Sequence, residues 1–236
     1  RSKNLVLMGG CALNCSANRI TNRYFDRTWI MPNPGDAGSA IGAVLAHKPQ
    51  WRIEPKYFTP YLGYDMGMIS SNHEIVEYLK ENQICGLARG RAEFGPRALG
   101  NRSLIADPRG GDIKGRVNDI KQRQEFRPFA PAILEEHVHQ YFRMPHGWND
   151  SRFMQVTARC LDPTLYPAII HKDGTSRVQT VPNDGSPFRL LLELWYAKTG
   201  CPMLLNTSLN IKGKPMVNDH ADARNFELHH KIKVFT

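Results

Sequence analysis

The sequence lacks the signatures that would assign it at once to several large classes of protein. In its 236 residues, no apolar run approaches the roughly 18 residues that a membrane-spanning helix needs, so no membrane contact is predicted. It contains no H-x-x-x-H or H-E-x-x-H pair, which excludes the common helical zinc sites. A G-x-S-x-G nucleophile elbow and a G-x-x-x-x-G-K-S/T phosphate loop are also missing, which excludes the α/β-hydrolases and the P-loop nucleotide-binding proteins.

Cysteine is scarce and follows no pattern. The five cysteines are scattered along the chain, so they predict neither a disulfide framework nor a C-x-x-C zinc site. Cys11 and Cys15 are four residues apart and can share a helix face, but no further metal ligand lies near them in the sequence. A redox or metal pair at these positions is therefore the weaker interpretation. We expect reduced thiols and a cytoplasmic protein.

Positive charge is in excess, with 31 lysines and arginines against 22 aspartates and glutamates and a net charge of +9. Such a balance favours anionic partners: phosphates, nucleotides or nucleic acid. Residues 86–130 alone hold ten basic and five acidic residues, interrupted by glycine and proline. Arginine on such loops suits bidentate binding of phosphate or carboxylate. Nucleic-acid binding stays open, although aromatic residues are few in this stretch. A small polyphosphate ligand is the favoured prediction.

The first 47 residues alternate short strands with glycine-rich turns. Residues 4–8 are typical of a buried strand, a glycine pair follows, and a helical pattern begins at Ala12; this order brings backbone N–H groups close to a phosphate or nucleotide. Residues 29–31 predict a second short strand, and a helix starts near Asp36. That carboxylate is either a helix N-cap or a group that faces a metal or nucleotide, and both interpretations stay open.

The rest of the chain predicts a second domain. Residues 48–68 show no sustained period, 71–82 have the apolar stripe of a helix, and 84–88 predict a buried strand. Further on, we expect a strand ending at 169–171, a turn at 172–175 and a half-buried strand over 176–181. An apolar strand at 203–205 then runs into a polar cluster at 206–210, which suits a phosphate, a ribose or Mg²⁺ but is also typical of a plain turn.

Seven motifs, in order along nearly the whole chain, resemble the ATP-dependent O-carbamoyltransferases of the nodulation and antibiotic-biosynthesis type. The motifs read GGCALN (9–14), PGDAGSA (34–40), EFGPRALGNRS (93–103), ADPR (106–109), RPFAP (127–131), HKDGTSRVQTV (171–181) and NTSLN (206–210). Together they are highly specific.

The resemblance implies an α/β fold in two parts. The C-terminal portion of an actin-like (ASKHA) domain would be followed by a YrdC-like α/β domain with a twisted, mixed sheet. The expected domain ranges are as follows: the C-terminal remnant of the actin-like carbamoyl-transfer domain spans 1–47, a linker and connecting helix span 48–82, and the YrdC-like, carbamoyl-adenylate-forming domain spans 83–236.

The resemblance also implies the reaction. The family condenses carbamoyl phosphate with ATP, which gives carbamoyl adenylate and pyrophosphate, and then transfers the carbamoyl group to a hydroxyl of an acceptor. ATP and Mg²⁺ are the expected cofactors. Cations would offset the repulsion between the two anionic substrates and stabilise the charge that develops on phosphorus, so no covalent nucleophile is needed.

The family's functional positions map onto residues of this chain in four groups. The implied catalytic residues are Arg97, Lys121, Arg127, His171 and Arg177. The implied substrate- and ATP-binding residues are Arg91, Glu93, Arg102, Arg123, Asp173, Asn206, Thr207, Ser208 and Asn210. The adenylate-binding residues of the first part would be Gly9, Gly10, Asn14 and Gly38, and Asp36 would bind a metal.

The chain departs from the family in lacking its iron-binding H-x-x-x-H, and residues 1–47 match only the last part of the actin-like domain. We therefore expect a C-terminal fragment or one product of a split gene, with an N-terminal half or partner chain that supplies the iron site. Iron is expected only with that half, and a homodimer is left open. Two alternatives to an enzyme remain: a non-catalytic RNA-binding relative of the tRNA threonylcarbamoyl-adenylate synthases, and an assembly subunit.

Overall fold

The computed structural model describes residues 2–47, 59–110 and 112–236. Residues 48–58, the first part of the predicted linker and connecting helix at 48–82, lie outside the described residues. The first range contains a parallel pair of short strands, β1 (Asn4–Leu7) and β2 (Arg27–Ile30). A 3₁₀ helix (Gly10–Leu13), α1 (Cys15–Asn18) and a second 3₁₀ helix (Thr21–Arg23) connect the strands, and α2 (Asp36–His47) follows them. The predicted order of strand, glycine turn and helix is confirmed.

The other two ranges contain most of the secondary structure. The strands are β3 (Ile84–Ala88), β4 (Arg102–Ala106), β5 (Ala130–Leu134), β6 (Phe142–Arg143), β7 (Thr157–Cys160), β8 (Thr175–Arg177), β9 (Gln179–Val181), β10 (Met203–Ser208) and β11 (Val234–Phe235). The helices are α3 (Asn72–Asn82), α4 (Ile113–Lys121), α5 (Val138–Tyr141), α6 (Pro187–Thr199) and α7 (His220–His230), with 3₁₀ helices at Glu135–His137 and Pro167–Ile169.

Six strands form one mixed sheet in the order β11-β3-β4-β10-β5-β9. The outer pairs, β11 with β3 and β5 with β9, are parallel, and the inner pairs are antiparallel. The predicted α/β class with a mixed sheet is confirmed. Because both faces of this sheet are covered, nearly all residues of its strands are buried, including polar ones in β4, β9 and β10.

Each face of the large sheet has its own core. Leu104 and Leu205 pack on one face with residues of α4 and α7, whereas Ile105 and Leu204 pack on the other with α3 and α6. Side chains alternate across a strand, so neighbouring residues of one strand belong to different cores. The sheet is therefore the middle layer between two pairs of helices.

Helix α3 confirms the helix predicted over 71–82. Ser71 is its N-cap, since the Ser71 hydroxyl accepts a hydrogen bond from the backbone N–H of Glu74 at 3.2 Å. Ile75 and Leu79 are fully buried in the core shared with α6. The helix that we assigned to a connecting segment thus packs into the core of the large sheet.

Three predictions about strands are wrong. Residues 167–169 are a 3₁₀ helix rather than the end of a strand, and Pro167 occupies its first turn, where a missing N–H costs nothing. The strand expected over 176–181 is two strands in different sheets, because β8 joins the sheet β6-β7-β8 and β9 joins the large one. The strand expected to end at 205 continues to Ser208 as β10.

The first range packs against the segment 148–156. Ala12 and Ile30 share a small apolar cluster with Trp148 and Val156. The Asn18 side chain donates a hydrogen bond to the Gln155 carbonyl at 2.9 Å. Val6 and Trp29, on β1 and β2, are 63% and 51% exposed. Within the described ranges, no helix has both the length and the hydropathy that crossing a membrane would require.

Candidate anion-binding site

A cavity of about 500 Å³ is lined by five separate segments of the chain. They are the start of α1, the loop between α4 and β5, strand β7, the turn and strand at 171–177, and strand β10. The lining residues are Cys15, Ser16, Arg123, Phe126, Arg127, Pro128, Phe129, Ala130, Thr157, His171, Lys172, Asp173, Thr175, Arg177, Asn206 and Thr207. This volume is within the range of small-molecule sites.

Strand register brings the lining residues together. Asn206 of β10 is the cross-strand partner of Ala130 in β5, so the polar end of β10 lies beside the arginine-rich loop that precedes β5. Arg177 of β8 is the partner of Thr157 in β7. Residues that are far apart in sequence therefore share one wall of the cavity.

The cavity carries guanidinium groups without matching carboxylates. The Nε of Arg177 is buried and has no hydrogen-bond partner among the described residues, and the same holds for the Nε of Arg123. Asp173 is the one carboxylate among the lining residues that the structure describes. A buried guanidinium N–H without a partner is costly unless an anion accepts its hydrogen bond.

The neighbouring cations act on one another. Burial first, and then the charges of Arg97, Arg123 and Arg127, lower the pKa of Arg177 to about 10. Burial and Arg127 lower the pKa of Arg123 to about 10. All these groups still carry a full charge at pH 7, so the cavity holds repelling cations that a polyphosphate would neutralise.

Other contacts hold these arginines in place. The Arg123 guanidinium lies over the Phe129 ring, 4.6 Å from its centroid, and donates a hydrogen bond to the Pro128 carbonyl at 2.9 Å. Arg97 donates to the carbonyl of Leu13 at 3.2 Å, which ties it to the first range of the chain. Arg97 is outside the lining set, but its charge acts on Arg177.

The turn at 171–175 presents a histidine and an aspartate to the cavity. Gly174 has a φ of +77°, and Asp173 accepts hydrogen bonds from the Thr175 backbone N–H at 3.0 Å and from its hydroxyl at 2.7 Å. These bonds lower the pKa of Asp173, so it is ionised at pH 7. Burial is the main cause that lowers the pKa of His171, although Asp173 opposes it, so the imidazole is neutral at pH 7.

Asn206 is a buried polar group at the cavity wall. Its amide nitrogen donates to the Gln179 side chain at 2.7 Å and to the Ala98 carbonyl at 3.1 Å. Its Oδ1 is buried with no partner among the described residues. Such an oxygen can accept a hydrogen bond from a ligand hydroxyl or amide.

Lys121, Ser208 and Asn210 form a separate cluster outside the lining set. The Lys121 ammonium donates to the Ser208 carbonyl at 2.5 Å, to the Ser208 hydroxyl at 3.2 Å, and to the Asn210 side-chain oxygen. Burial, with Arg123 nearby, lowers the pKa of Lys121 to about 8. The contacts of this lysine fix the loop that follows β10.

The Lys121→Met variant is expected to change how stability depends on pH. Between the folded pKa of about 8 and the ordinary value of ~10.4, the unfolded chain binds a proton that the folded chain does not, so this lysine makes stability rise with pH. From about pH 7 to about pH 9.5, the unfolding free energy of the wild type relative to the variant should rise by on the order of 1–2 kcal/mol in urea titrations. Lys80→Met, which removes an exposed lysine, is the control for the loss of a lysine charge. A constant difference for Lys121→Met would contradict the assignment.

Three residues predicted to bind substrate lie outside the lining set and contact other parts of the protein. Arg102 is fully buried and donates to backbone carbonyls that include those of Arg89 at 3.0 Å and Tyr64 at 2.9 Å. The buried Glu93 carboxylate accepts backbone N–H groups from the loop before β4. Arg91 is exposed and lies 3.7 Å from Asp65. Each is outside the lining set, and substrate contact by any of them stays a prediction.

The residues predicted in the first range lie next to the cavity rather than in its lining. The Asn14 side chain caps α1 by accepting from the Ala17 N–H at 3.1 Å, and the next two residues, Cys15 and Ser16, line the cavity. Gly9 has a φ of +88°, and Gly10 begins the first 3₁₀ helix.

Gly38 and Asp36 belong to the first turn of α2. A Cβ at Gly38 would lie 1.8 Å from the carbonyl oxygen of Asn33, so only glycine allows this close packing. Asp36 is exposed, and the described residues contain no group of three or more His, Cys, Asp and Glu side chains that could hold a metal ion. The side chains present therefore do not fit an iron centre, and its assignment to Asp36 stays a prediction.

Several lining residues were not predicted. Phe126, Pro128, Phe129, Ala130, Lys172 and Thr175 lie beside or inside motifs that we quoted, so proximity in sequence could have indicated them. Thr157 and Ser16 have no such signal, because strand pairing and packing of the first range bring them to the cavity.

Comparison with protein-family models shows which family the chain belongs to. The family model described as "Carbamoyltransferase C-terminus" matches residues 76–236, and the one described as "Carbamoyltransferase N-terminus" matches residues 1–45. The chain belongs to the carbamoyltransferase family.

Its relatives include nodulation proteins and an O-carbamoyltransferase. The chain is 36% identical to nodulation protein NolNO of Sinorhizobium fredii, over 94% of this chain and 37% of that protein. It is 35% identical to nodulation protein NolO of Bradyrhizobium diazoefficiens, over 93% and 45%. It is 32% identical to the 3'-hydroxymethylcephem-O-carbamoyltransferase of Amycolatopsis lactamdurans, over 92% and 44%. The chain thus spans less than half the length of these relatives.

Proposed function

We propose that the cavity binds ATP together with carbamoyl phosphate and forms carbamoyl adenylate, as the activating step of an O-carbamoyltransferase. The observation that carries the proposal is the pair of buried Nε atoms at Arg123 and Arg177 that have no hydrogen-bond partner, in a cavity where the described lining has one carboxylate. Two phosphate-bearing substrates repel each other, and fixed cations that neutralise both bring them together and stabilise the charge in the transition state.

Atom balance defines the products of this step. A carbamate oxygen attacks the α-phosphorus of ATP, the bond to the β-phosphate breaks, and pyrophosphate leaves. Carbamate arises when water takes the phosphoryl group of carbamoyl phosphate, so one phosphate and one pyrophosphate are released for each carbamoyl adenylate. His171, neutral at pH 7, is available to accept the proton that the attacking water loses.

Magnesium would accompany ATP in this proposal. Asp173 supplies one ionised carboxylate, and phosphate oxygens and waters would complete the octahedral shell that Mg²⁺ prefers. Its chemistry there is to neutralise phosphate charge. Asp36 alone does not form an iron centre, and the proposed activating step uses no iron.

The finer fold assignment is part of the same proposal. We assign residues 83–236 to a YrdC-like domain and 1–47 to the end of an actin-like domain that transfers the carbamoyl group. One relative carries a name that describes carbamoyl transfer to a hydroxymethyl group, which supports a hydroxyl as the acceptor. Transfer would also involve the rest of the actin-like part, in the same or a partner chain.

The test is release of pyrophosphate from ATP by the purified chain. We expect release only when carbamoyl phosphate is present, with equal amounts of phosphate and pyrophosphate. Folding is checked by circular dichroism. A folded chain that releases no pyrophosphate, or releases it equally without carbamoyl phosphate, refutes the proposal. Salt-sensitive RNA binding that ATP analogues do not affect would support the RNA-binding alternative instead.

A further inference from the structure

Phe126 is an exposed aromatic residue in the lining of the basic cavity. Its side chain is 63% exposed, although a phenylalanine ring is usually buried because its exposure to water is unfavourable. It lies in the loop between α4 and β5, next to Arg127 and three residues after Arg123, which also line the cavity.

The neighbouring Phe129 shows what this loop does with an aromatic residue that serves the core. Phe129 is 3% exposed, packs in the core of the large sheet, and carries the Arg123 guanidinium over its ring. Phe126 differs from Phe129 because its ring is exposed and does not pack in the core. Its position at the cavity therefore requires a different explanation from packing.

The cavity has a buried basic wall and an exposed aromatic residue. The Arg177 Nε is buried, whereas Phe126 is exposed to solvent, so a phosphate bound at this Nε would lie deeper in the cavity than the Phe126 ring. A nucleotide whose phosphates point inward presents its base outward. Bases stack on exposed aromatic faces whatever their hydrogen-bonding pattern, and the adjacent Arg127 adds a cation near the same ring system.

We propose that Phe126 is the stacking platform for the purine base of the nucleotide, and so makes the cavity bind ATP more tightly than inorganic polyphosphate. This inference rests on the proposed function, because it assumes that the phosphates of ATP bind the arginines. It assigns Phe126 to base binding, and to no step of bond formation.

The test compares ATP with inorganic tripolyphosphate, which has the phosphates without the base. Affinities of both for the full chain are measured by calorimetry in the presence of Mg²⁺. Phe126→Ala is expected to weaken ATP binding about tenfold or more and to change tripolyphosphate binding less than about twofold. Phe126→Trp retains an aromatic face and should keep the wild-type preference for ATP.

Tyr24→Ala is the matched control, since Tyr24 is a 60% exposed aromatic residue outside the lining set. This variant should bind both ligands as the wild type does. If Phe126→Ala leaves the ratio of the two affinities unchanged, or if Phe126→Trp loses the preference, the inference is overturned. If the wild type binds neither ligand, it is the proposed function that fails.

Discussion

Replacing Arg177 by alanine is expected to lower carbamoyl-phosphate-dependent release of pyrophosphate by about 10³-fold, because a single guanidinium that stabilises phosphoryl transfer has an effect of that order. Arg177 lines the cavity and has a buried Nε with no protein partner among the described residues. Removal of the side chain also relieves repulsion from Arg97 and Arg123. The fold should therefore keep its stability while activity is lost.

Two further variants make this result specific to the position of the charge. Arg177→Lys keeps a positive charge but loses bidentate geometry, and should have activity between that of the wild type and that of the alanine variant. Arg152→Ala removes an exposed arginine that pairs with Glu135, and should retain full activity. Equal activity in the wild type and Arg177→Ala would remove this arginine from the site.

Replacing Leu191 by alanine is expected to destabilise the protein by about 2–5 kcal/mol, the usual cost of a cavity at a fully buried leucine. Leu191 lies on α6, is 0% exposed, and packs in the core that α3 and α6 build on one face of the large sheet. The measurement is the unfolding free energy from denaturant titration.

Leu190 provides the control within the same helix. It is the preceding residue and the same amino acid, but 48% of its side chain is exposed. Leu190→Ala should change stability by less than about 1 kcal/mol, because little apolar surface is lost from the core. Similar losses for both variants would show that α6 does not pack through the face described here.

The local sequence pattern was enough to predict those helices and strands whose caps and apolar residues lie within one short stretch. Helix α3 has its cap at Ser71 and its apolar stripe in one stretch, and β3 is a short apolar run before a glycine turn. The arginines at 123, 127 and 177 were likewise found from short motifs. In these cases the sequence around each residue already contains the contacts that determine its structure.

Tertiary contacts explain the parts that pattern could not predict. The residues at 206–208 have the composition of a turn, yet they extend β10 because they pair with residues 103–105 of β4, a distant segment of the chain. The strands on either side of Val178 belong to two different sheets. The alternation of polar and apolar residues over 176–181 does not predict this division. Arg102 belongs to an arginine-rich motif, but its donors satisfy backbone carbonyls.

The hydrogen bond from Arg97 to Leu13 and the lining role of Cys15 and Ser16 have a thermodynamic consequence. A ligand that fills the cavity would contact the first range of the chain as well as the large-sheet region, and would therefore bind best when the two are docked. By mass action, ligand binding would then shift the equilibrium between docked and undocked states towards the docked state. The ligand that neutralises the arginines would thus also stabilise the packing of the first range against the large-sheet region.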